Sequence, residues 1–235
     1  MHLLLDLLFP PHCSLCGTAR NLLPDISLCR PCSDDLLHNT DACSLCAAPL
    51  STEGVPPTID ICAQCIQKKP RYDQLWSPFR YAQPLESMIQ QLKFNARLNF
   101  APLLSTLMIH RLPPDFYTQT PPDAVIPMPL HPHRLKQRGF NQSLLLLKPL
   151  AKQLKLPVDT ESCRRINNTE HQTGKNAQQR QKNIKGAFTF ENKNSYQHVV
   201  IFDDVVTTGS TVSELSKTIK QAGVGRVDVW CLARA

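Results

Sequence analysis

Apolar residues change rhythm several times along this chain. Over Leu85–Phe94 and Arg97–Arg111 they recur at a spacing near 3.6, which predicts two helices with one buried face each. Ala124–Pro127 (AVIP) and His198–Phe202 (HVVIF) are short continuous apolar runs instead, the pattern of strands buried on both faces, and Val227–Leu232 is a third. Helical spacing returns over Asn141–Leu154, where Pro149 lacks an N–H and is a candidate kink. It returns again over Ser210–Ala222, with Gly223 placed to close the helix. Strand, turn, helix, strand is a βαβ unit, so the predicted fold class is α/β, a parallel sheet flanked by helices. Trp76, Phe79 and Tyr81 mark a mixed stretch before the first helix, and Pro113-Pro114 and Pro121-Pro122 bracket a loop. Pro127–Gln142 (PMPLHPHRLKQRGFNQ) reads as a proline-rich basic loop. Cys163–Lys185 has little apolar pattern and reads as an exposed, mobile basic loop followed by a polar helix.

The first 70 residues have no such rhythm, and composition takes over there. Eight of the ten cysteines lie between Cys13 and Cys65. Residues 1–70 carry four Lys/Arg against seven Asp/Glu, a net of −3, while residues 71–235 carry 22 against 12, a net of +10. So sharp a break predicts two domains, a cysteine-rich module over 1–70 and an α/β domain over 71–235, with the boundary near Lys68–Arg71. The opening MHLLLDLLFPP is too short to span a bilayer and has no basic leader; Asp6 interrupts it and Pro10-Pro11 end it. It reads as a short helix packed on the body, with weak membrane association left open. The expected location is cytoplasmic, where paired cysteines favour metal over disulfides.

The cysteines form four C-x-x-C pairs, Cys13/Cys16, Cys29/Cys32, Cys43/Cys46 and Cys62/Cys65, with 12, 10 and 15 residues between pairs. Each pair can make one knuckle, and two knuckles make a closed tetrahedral site of four thiolates, so up to two structural Zn²⁺ are expected. A module this small buries too little apolar surface for comfortable stability on its own. A structural zinc contributes about 10–16 kcal/mol of apparent binding energy. Consecutive pairing gives a double zinc ribbon; cross-braced pairing of the first knuckle with the third stays open, as does redox use of one C-x-x-C. Cys163 and Cys231 are assigned no chemistry.

The most specific stretch is Val199–Thr211, VVIFDDVVTTGST. A buried strand ends in Asp203 and Asp204, and Thr207, Thr208, Gly209, Ser210 and Thr211 then open a helix. The C-terminal edge of a parallel sheet is where α/β folds take ligands. Free N–H groups and the positive end of the helix dipole suit a phosphate there. Gly209 lets the backbone approach closely. The two acids cannot serve a phosphate, but they suit what it is attached to, sugar hydroxyls held directly or through Mg²⁺. An ordinary strand-to-helix turn needs one capping hydroxyl, not four hydroxyls, a glycine and two acids. No lysine sits in the loop, which argues against a P-loop NTPase. Between Arg134 and Lys185 the chain carries 12 Lys/Arg and 3 Asp/Glu. Arg134, Lys136 and Arg138 follow a strand end, on the same sheet rim as the loop, and Arg134 and Arg138 are the candidates to touch a pyrophosphate or DNA.

VVIFDDVVTTGST closely resembles the ribose-phosphate signature of type I phosphoribosyltransferases. That resemblance implies that Asp203 and Asp204 hold the ribose 2- and 3-hydroxyls and that Thr207 to Thr211 wrap the 5-phosphate. With LLFPPHCSLCG, PMPLHPHRLKQRGFNQ, RRINNTEHQ (Arg164–Gln172) and RQKNIKGAF (Arg180–Phe188) in that order, the chain resembles the competence protein F (ComF) family from end to end. The family implies a zinc-binding N-terminus, a phosphoribosyltransferase-type domain and a role in uptake of transforming DNA, with single-stranded DNA and DNA-uptake proteins as partners. Two departures stand out: Pro149 inside a helix, and Glu170-His171 ahead of Gln172 where a proline-rich approach is expected.

Two functions fit these residues. One is an enzyme that displaces pyrophosphate from phosphoribosyl pyrophosphate, with the Arg164–Arg180 loop closing over the site. The other is a protein that binds phosphoribosyl pyrophosphate or a related phosphosugar while its basic face holds single-stranded DNA. Phe140 is the clearest aromatic near that face, so support for base stacking is thin. No catalytic nucleophile or base-recognition pocket is legible, and fold alone does not decide turnover.

Overall fold

The computed structural model describes residues 11–50, 60–117, 119–167 and 184–235. The expected N-terminal helix, the Glu170-His171 departure and most of the basic loop lie outside these residues. The sheet that carries the site is built from β3 (Gln74–Trp76), β4 (Phe79–Arg80), β5 (Ala124–Pro127), β8 (His198–Val206) and β9 (Arg226–Arg234). Its order is β3-β9-β8-β5, with β4 also on β9, and every pairing is parallel. Val199 and Ile201 point to one face while Val200 and Phe202 point to the other, and all four are fully buried. That two-sided burial is why the run is continuously apolar rather than alternating.

One face of the sheet is covered by α3 (Leu85–Asn95), α4 (Phe100–Ile109) and α6 (Gln142–Leu154). The other face is covered by α7 (Ser210–Gln221). Leu85, Met88, Ile89 and Leu92 form the buried stripe of α3, as their spacing predicts. Helix α4 is shorter than expected, because 97–99 form a turn ahead of Phe100. Pro149 sits inside α6 without ending it. Gly223 adopts φ +95 just past the end of α7, the left-handed position that favours glycine.

Two expectations are corrected. The proline-rich stretch is not all loop: Pro132–Arg138 forms α5, with Pro132 in its first turn, the His131 ring capping the N–H of His133, and Gly139 at φ +81 ending it. The segment expected to lack pattern begins with β6 (Cys163–Arg165), which pairs antiparallel with β7 (Phe188–Phe190) beside the main sheet.

The cysteine module contributes β1 (Leu22–Leu23), β2 (Ile26–Cys29), α1 (Arg30–Asp34) and α2 (Ala63–Gln67). It is not a detached bead. Cys13, Ile26, Leu28 and Cys29 join the core of α3, α4 and α6, while Cys43, Cys46 and Cys65 join the core under α7. Among the described residues no helix is long and apolar enough to cross a membrane.

Candidate functional site

The eight cysteines gather as Cys13, Cys16, Cys29 and Cys32, and as Cys43, Cys46, Cys62 and Cys65. The ligand sulfurs within each group lie within 4.8 Å of one another. Tetrahedral zinc with Zn–S of about 2.3 Å sets its sulfurs about 3.8 Å apart. The Sγ atoms of Cys16 and Cys29 are 3.7 Å apart, and so are those of Cys46 and Cys62. The pairing is therefore consecutive, and cross-bracing is excluded. Burial resists ionisation of Cys13, but the N–H groups of Cys16, Cys29 and Leu15 outweigh it and pull the thiol down to about 6. Cys43 is pulled down to about 7 in the same way, with Cys62 N–H donating to its sulfur at 3.3 Å. A thiolate supported by backbone donors is what a zinc site requires. Cys163 and Cys231 are buried elsewhere, and burial pushes each up to about 12, so both stay thiols.

Strand β8 runs to Val206, four residues beyond the predicted apolar run, so the two acids lie within the strand rather than past its end. Their settings differ. Asp204 is only 3% exposed and forms an ion pair with Lys93 of α3. The sequence places both acids at a strand end facing a ligand, whereas Asp204 is buried against α3. Burial disfavours the Lys93 ammonium, yet the Asp204 carboxylate outweighs it and holds Lys93 above the ordinary lysine range. Asp203 is half-buried; its Oδ1 accepts from Ser143 Oγ at 3.0 Å and from the N–H of Asp204 at 2.9 Å. Burial, and then the neighbouring Asp204 charge, push Asp203 up to about 8. The site thus has two adjacent carboxyl groups for one buried lysine, and the upward push on Asp203 marks a place where a further cation is favoured. The donors at hand are carboxylate and hydroxyl oxygens, the hard set that suits Mg²⁺.

Beyond Val206 the chain turns at Thr207 and Thr208, both exposed, and reaches Gly209 at φ +74, which caps α7. The Oγ atoms of Thr208 and Ser210 are 2.8 Å apart. The first-turn amides of α7, including that of Thr211, have no acceptor within the helix. Across the sheet rim, RGFNQ acquires a local explanation. Gly139 ends α5, Asn141 caps α6 by accepting from Leu144 N–H at 3.2 Å, and Gln142 accepts from Arg138 at 2.6 Å. Arg134 and Arg138, four apart, share a face of α5. Burial first, and the charge of Arg134 after it, lower Arg138, against a raising contribution from Asp204. Arg165 of β6 behaves alike: burial and Arg134 lower it, and Asp203 raises it. Three arginines, Lys93 and the acid pair therefore sit in one electrostatic neighbourhood.

Lys93 and Arg165 were not among the residues predicted from sequence. Lys93 adjoins Leu92, the last member of the apolar stripe of α3, and nothing local marks it as the partner of a buried acid. Arg165 lies within the Arg164–Gln172 motif and the loop expected to close over the site, but only the pairing of β6 with β7 singles it out. Next to Arg165 and the end of β5 is a cavity of about 670 Å³, walled by Leu135, Phe140, Leu144, Leu145 and Ile166.

Fold and site together define a protein class, an α/β protein that joins a double zinc ribbon to a strand–acid-pair–helix site at the edge of a parallel sheet. The double zinc ribbon domain family matches residues 4–66. DNA utilization protein YhgH of Escherichia coli K12 is 37% identical over 209 residues, covering 88% of this chain and 90% of that protein. Competence protein F of Haemophilus influenzae is 34% identical over 186 residues, covering 74% and 78%. Competence protein ComFC of Bacillus subtilis is 26% identical over 212 residues, covering 86% and 81%. The chain belongs to the competence protein F family.

Proposed function

We propose that this chain is a cytoplasmic protein of DNA uptake that binds phosphoribosyl pyrophosphate with Mg²⁺ and handles single-stranded DNA. The uptake role is supported by relatives named for competence and DNA utilization. Phosphosugar binding is carried by one observation: the acid pair is followed two residues on by the Thr207–Thr211 turn at a helix start, with Arg138 and Arg165 in the electrostatic field of the acids. In this reading the α7 amides and Thr/Ser hydroxyls hold the 5-phosphate, Asp203 and Asp204 orient the ribose hydroxyls, and the arginines meet the pyrophosphate. Mg²⁺ would be held by the acid pair and would neutralise pyrophosphate charge.

Calorimetry with phosphoribosyl pyrophosphate and Mg²⁺ tests the site. Asp203→Asn keeps the oxygen that accepts from Ser143 and Asp204 but loses the charge, so the fold is retained. A hydrogen bond to a charged group contributes about 1.5–3 kcal/mol, so affinity falls about 10- to 150-fold. Unchanged affinity in folded protein removes Asp203 from the site.

Single-strand binding rests on the net +9 between Arg134 and Lys185. It is expected to be steeply salt-dependent and nearly sequence-independent. Replacing Arg134 or exposed Lys136 by Ala lowers the slope of log K against log salt by about 0.7 for each DNA phosphate that the side chain neutralises. No binding to an oligonucleotide even at low salt overturns it.

The cavity of about 670 Å³ favours a second reading, transfer of the phosphoribosyl group to an acceptor, since it has the size of an ordinary small-molecule site. Release of pyrophosphate on adding candidate bases or DNA separates turnover from binding alone.

A further inference from the structure

Arg234, near the end of β9, is a cation only 5% exposed, and its guanidinium is ringed by backbone carbonyls. Its Nε donates to the carbonyl of Cys46 at 3.0 Å. Its Nη1 donates to the carbonyl of Val206 at 3.1 Å, and also to those of Thr207 and Ala235. Cys46 belongs to the second cysteine cluster, while Val206 and Thr207 are the last strand residue and the first loop residue of the phosphate turn. One planar guanidinium therefore spans from a metal knuckle to the backbone that aims the loop. Its fork is rigid, so a displaced knuckle carbonyl cannot be followed without releasing a loop carbonyl.

Neighbouring contacts run the same way. Tyr72 is buried in the core that holds Cys43, Cys46 and Cys65, and its hydroxyl lies 3.4 Å from where a side chain on Gly209 would begin. Leu75 of β3 donates to the carbonyl of Leu45, inside the same knuckle, at 2.9 Å. The knuckle itself is a tight turn, with Ala47 at φ +51 and its N–H on the carbonyl of Cys43. Zinc is the group suited to hold such a short turn in place. The first cluster has a different neighbourhood, because Cys13 and Cys29 pack into the core of α3, α4 and α6.

We propose that Arg234 is a positioning residue that couples the second zinc knuckle to the phosphate loop. Zinc at Cys43, Cys46, Cys62 and Cys65 then strengthens binding of a phosphorylated sugar, and zinc at Cys13, Cys16, Cys29 and Cys32 does not. The inference rests on the reading of Thr207–Thr211 as a phosphate site. Linkage makes the coupling reciprocal: whatever factor zinc adds to ligand affinity, ligand adds to zinc affinity.

The test uses the full chain with two zinc ions bound and ribose 5-phosphate as the probe. Zinc is titrated away with a chromogenic chelator, with and without saturating probe. The expected result is that one of the two ions becomes about fivefold or more harder to remove, a factor in the usual range for coupled sites. In Arg234→Met, which keeps chain length but no donors, that difference disappears, ribose 5-phosphate binds about fivefold or more weakly, and both ions are still bound at the start. Arg234→Lys, which can reach fewer carbonyls, falls between. Should Arg234→Met not fold, the wild-type titration still decides. Ribose 5-phosphate binding that leaves both zinc affinities unchanged overturns the coupling and leaves the phosphate site standing. Protection of both ions equally, or of the first cluster alone, overturns the assignment to Arg234. No binding of ribose 5-phosphate at all overturns both readings.

Discussion

Gly209→Val abolishes binding of ribose 5-phosphate and phosphoribosyl pyrophosphate while the sheet stays folded. Gly209 sits at φ +74 and ψ 0, left-handed backbone that a β-branched residue strongly resists. The space alone would admit a methyl group, because the Tyr72 hydroxyl lies at 3.4 Å, an ordinary contact. The decisive effect is therefore conformational. Strain of about 1–3 kcal/mol at one residue moves the loop out of its native turn at the start of α7, and each 1.4 kcal/mol is a factor of ten in affinity. Valine also adds two methyl groups where the phosphate approaches. Loss of about 100-fold or more is expected by calorimetry, with circular dichroism unchanged. Gly209→Ala separates the causes, since it carries the strain with little bulk and should weaken binding by about tenfold. Native affinity in Gly209→Val would show that the ligand lies elsewhere.

The same loop shows how far sequence reaches. Val199–Thr211 was legible because its chemistry is contiguous: an apolar run, two acids, then hydroxyls and a glycine, each constrained by the residue before it. The cysteine pairs were legible for the same local reason, although the sulfur distances were needed to choose between consecutive and cross-braced pairing. Lys93 and Arg165 come to the site from elements far away in the chain, and no local pattern announces which cation will face a buried acid. Three prolines and a run of cations make the α5 stretch resemble a loop; Pro132 at the helix start and Gly139 at its end are the signals that outweigh them. Sequence alone gives the two acids one role because they are adjacent in the chain. In a strand, adjacent side chains point to opposite faces. Asp204, on the face of Val200 and Phe202, meets a lysine from α3, while Asp203 accepts from Ser143 at the start of α6.

That asymmetry carries the largest expected effect on stability. Lys93→Met removes the ion-pair partner of Asp204, whose side chain is 4% exposed and lies next to the like charge of Asp203. Breaking a buried pair from one side costs about 3–5 kcal/mol, because the remaining charge is left without compensation. The pH dependence has a definite sign. Asp203 is already pushed up to about 8 by burial and by its neighbour, and losing Lys93 removes the charge that opposes this push. The acid pair of the variant therefore holds a proton more tightly folded than unfolded, and the folded protein binds more protons across the window between the two states. Stability of the variant relative to wild type falls as pH rises through that window and recovers on acidification. In wild type, Lys93 is held above the ordinary lysine range, so its contribution is complete at neutral pH and is lost only as pH rises through the folded lysine pKa. Urea unfolding at about pH 5 and about pH 8 reads the difference, with a clearly smaller loss expected at the lower pH. Asp204→Asn in the Lys93→Met background removes the stranded charge and should restore much of the stability, a non-additivity measurable as a double-mutant cycle. Equal stability of Lys93→Met and wild type at the higher pH would mean that the two side chains do not depend on each other, and that Asp204 is held by some other group.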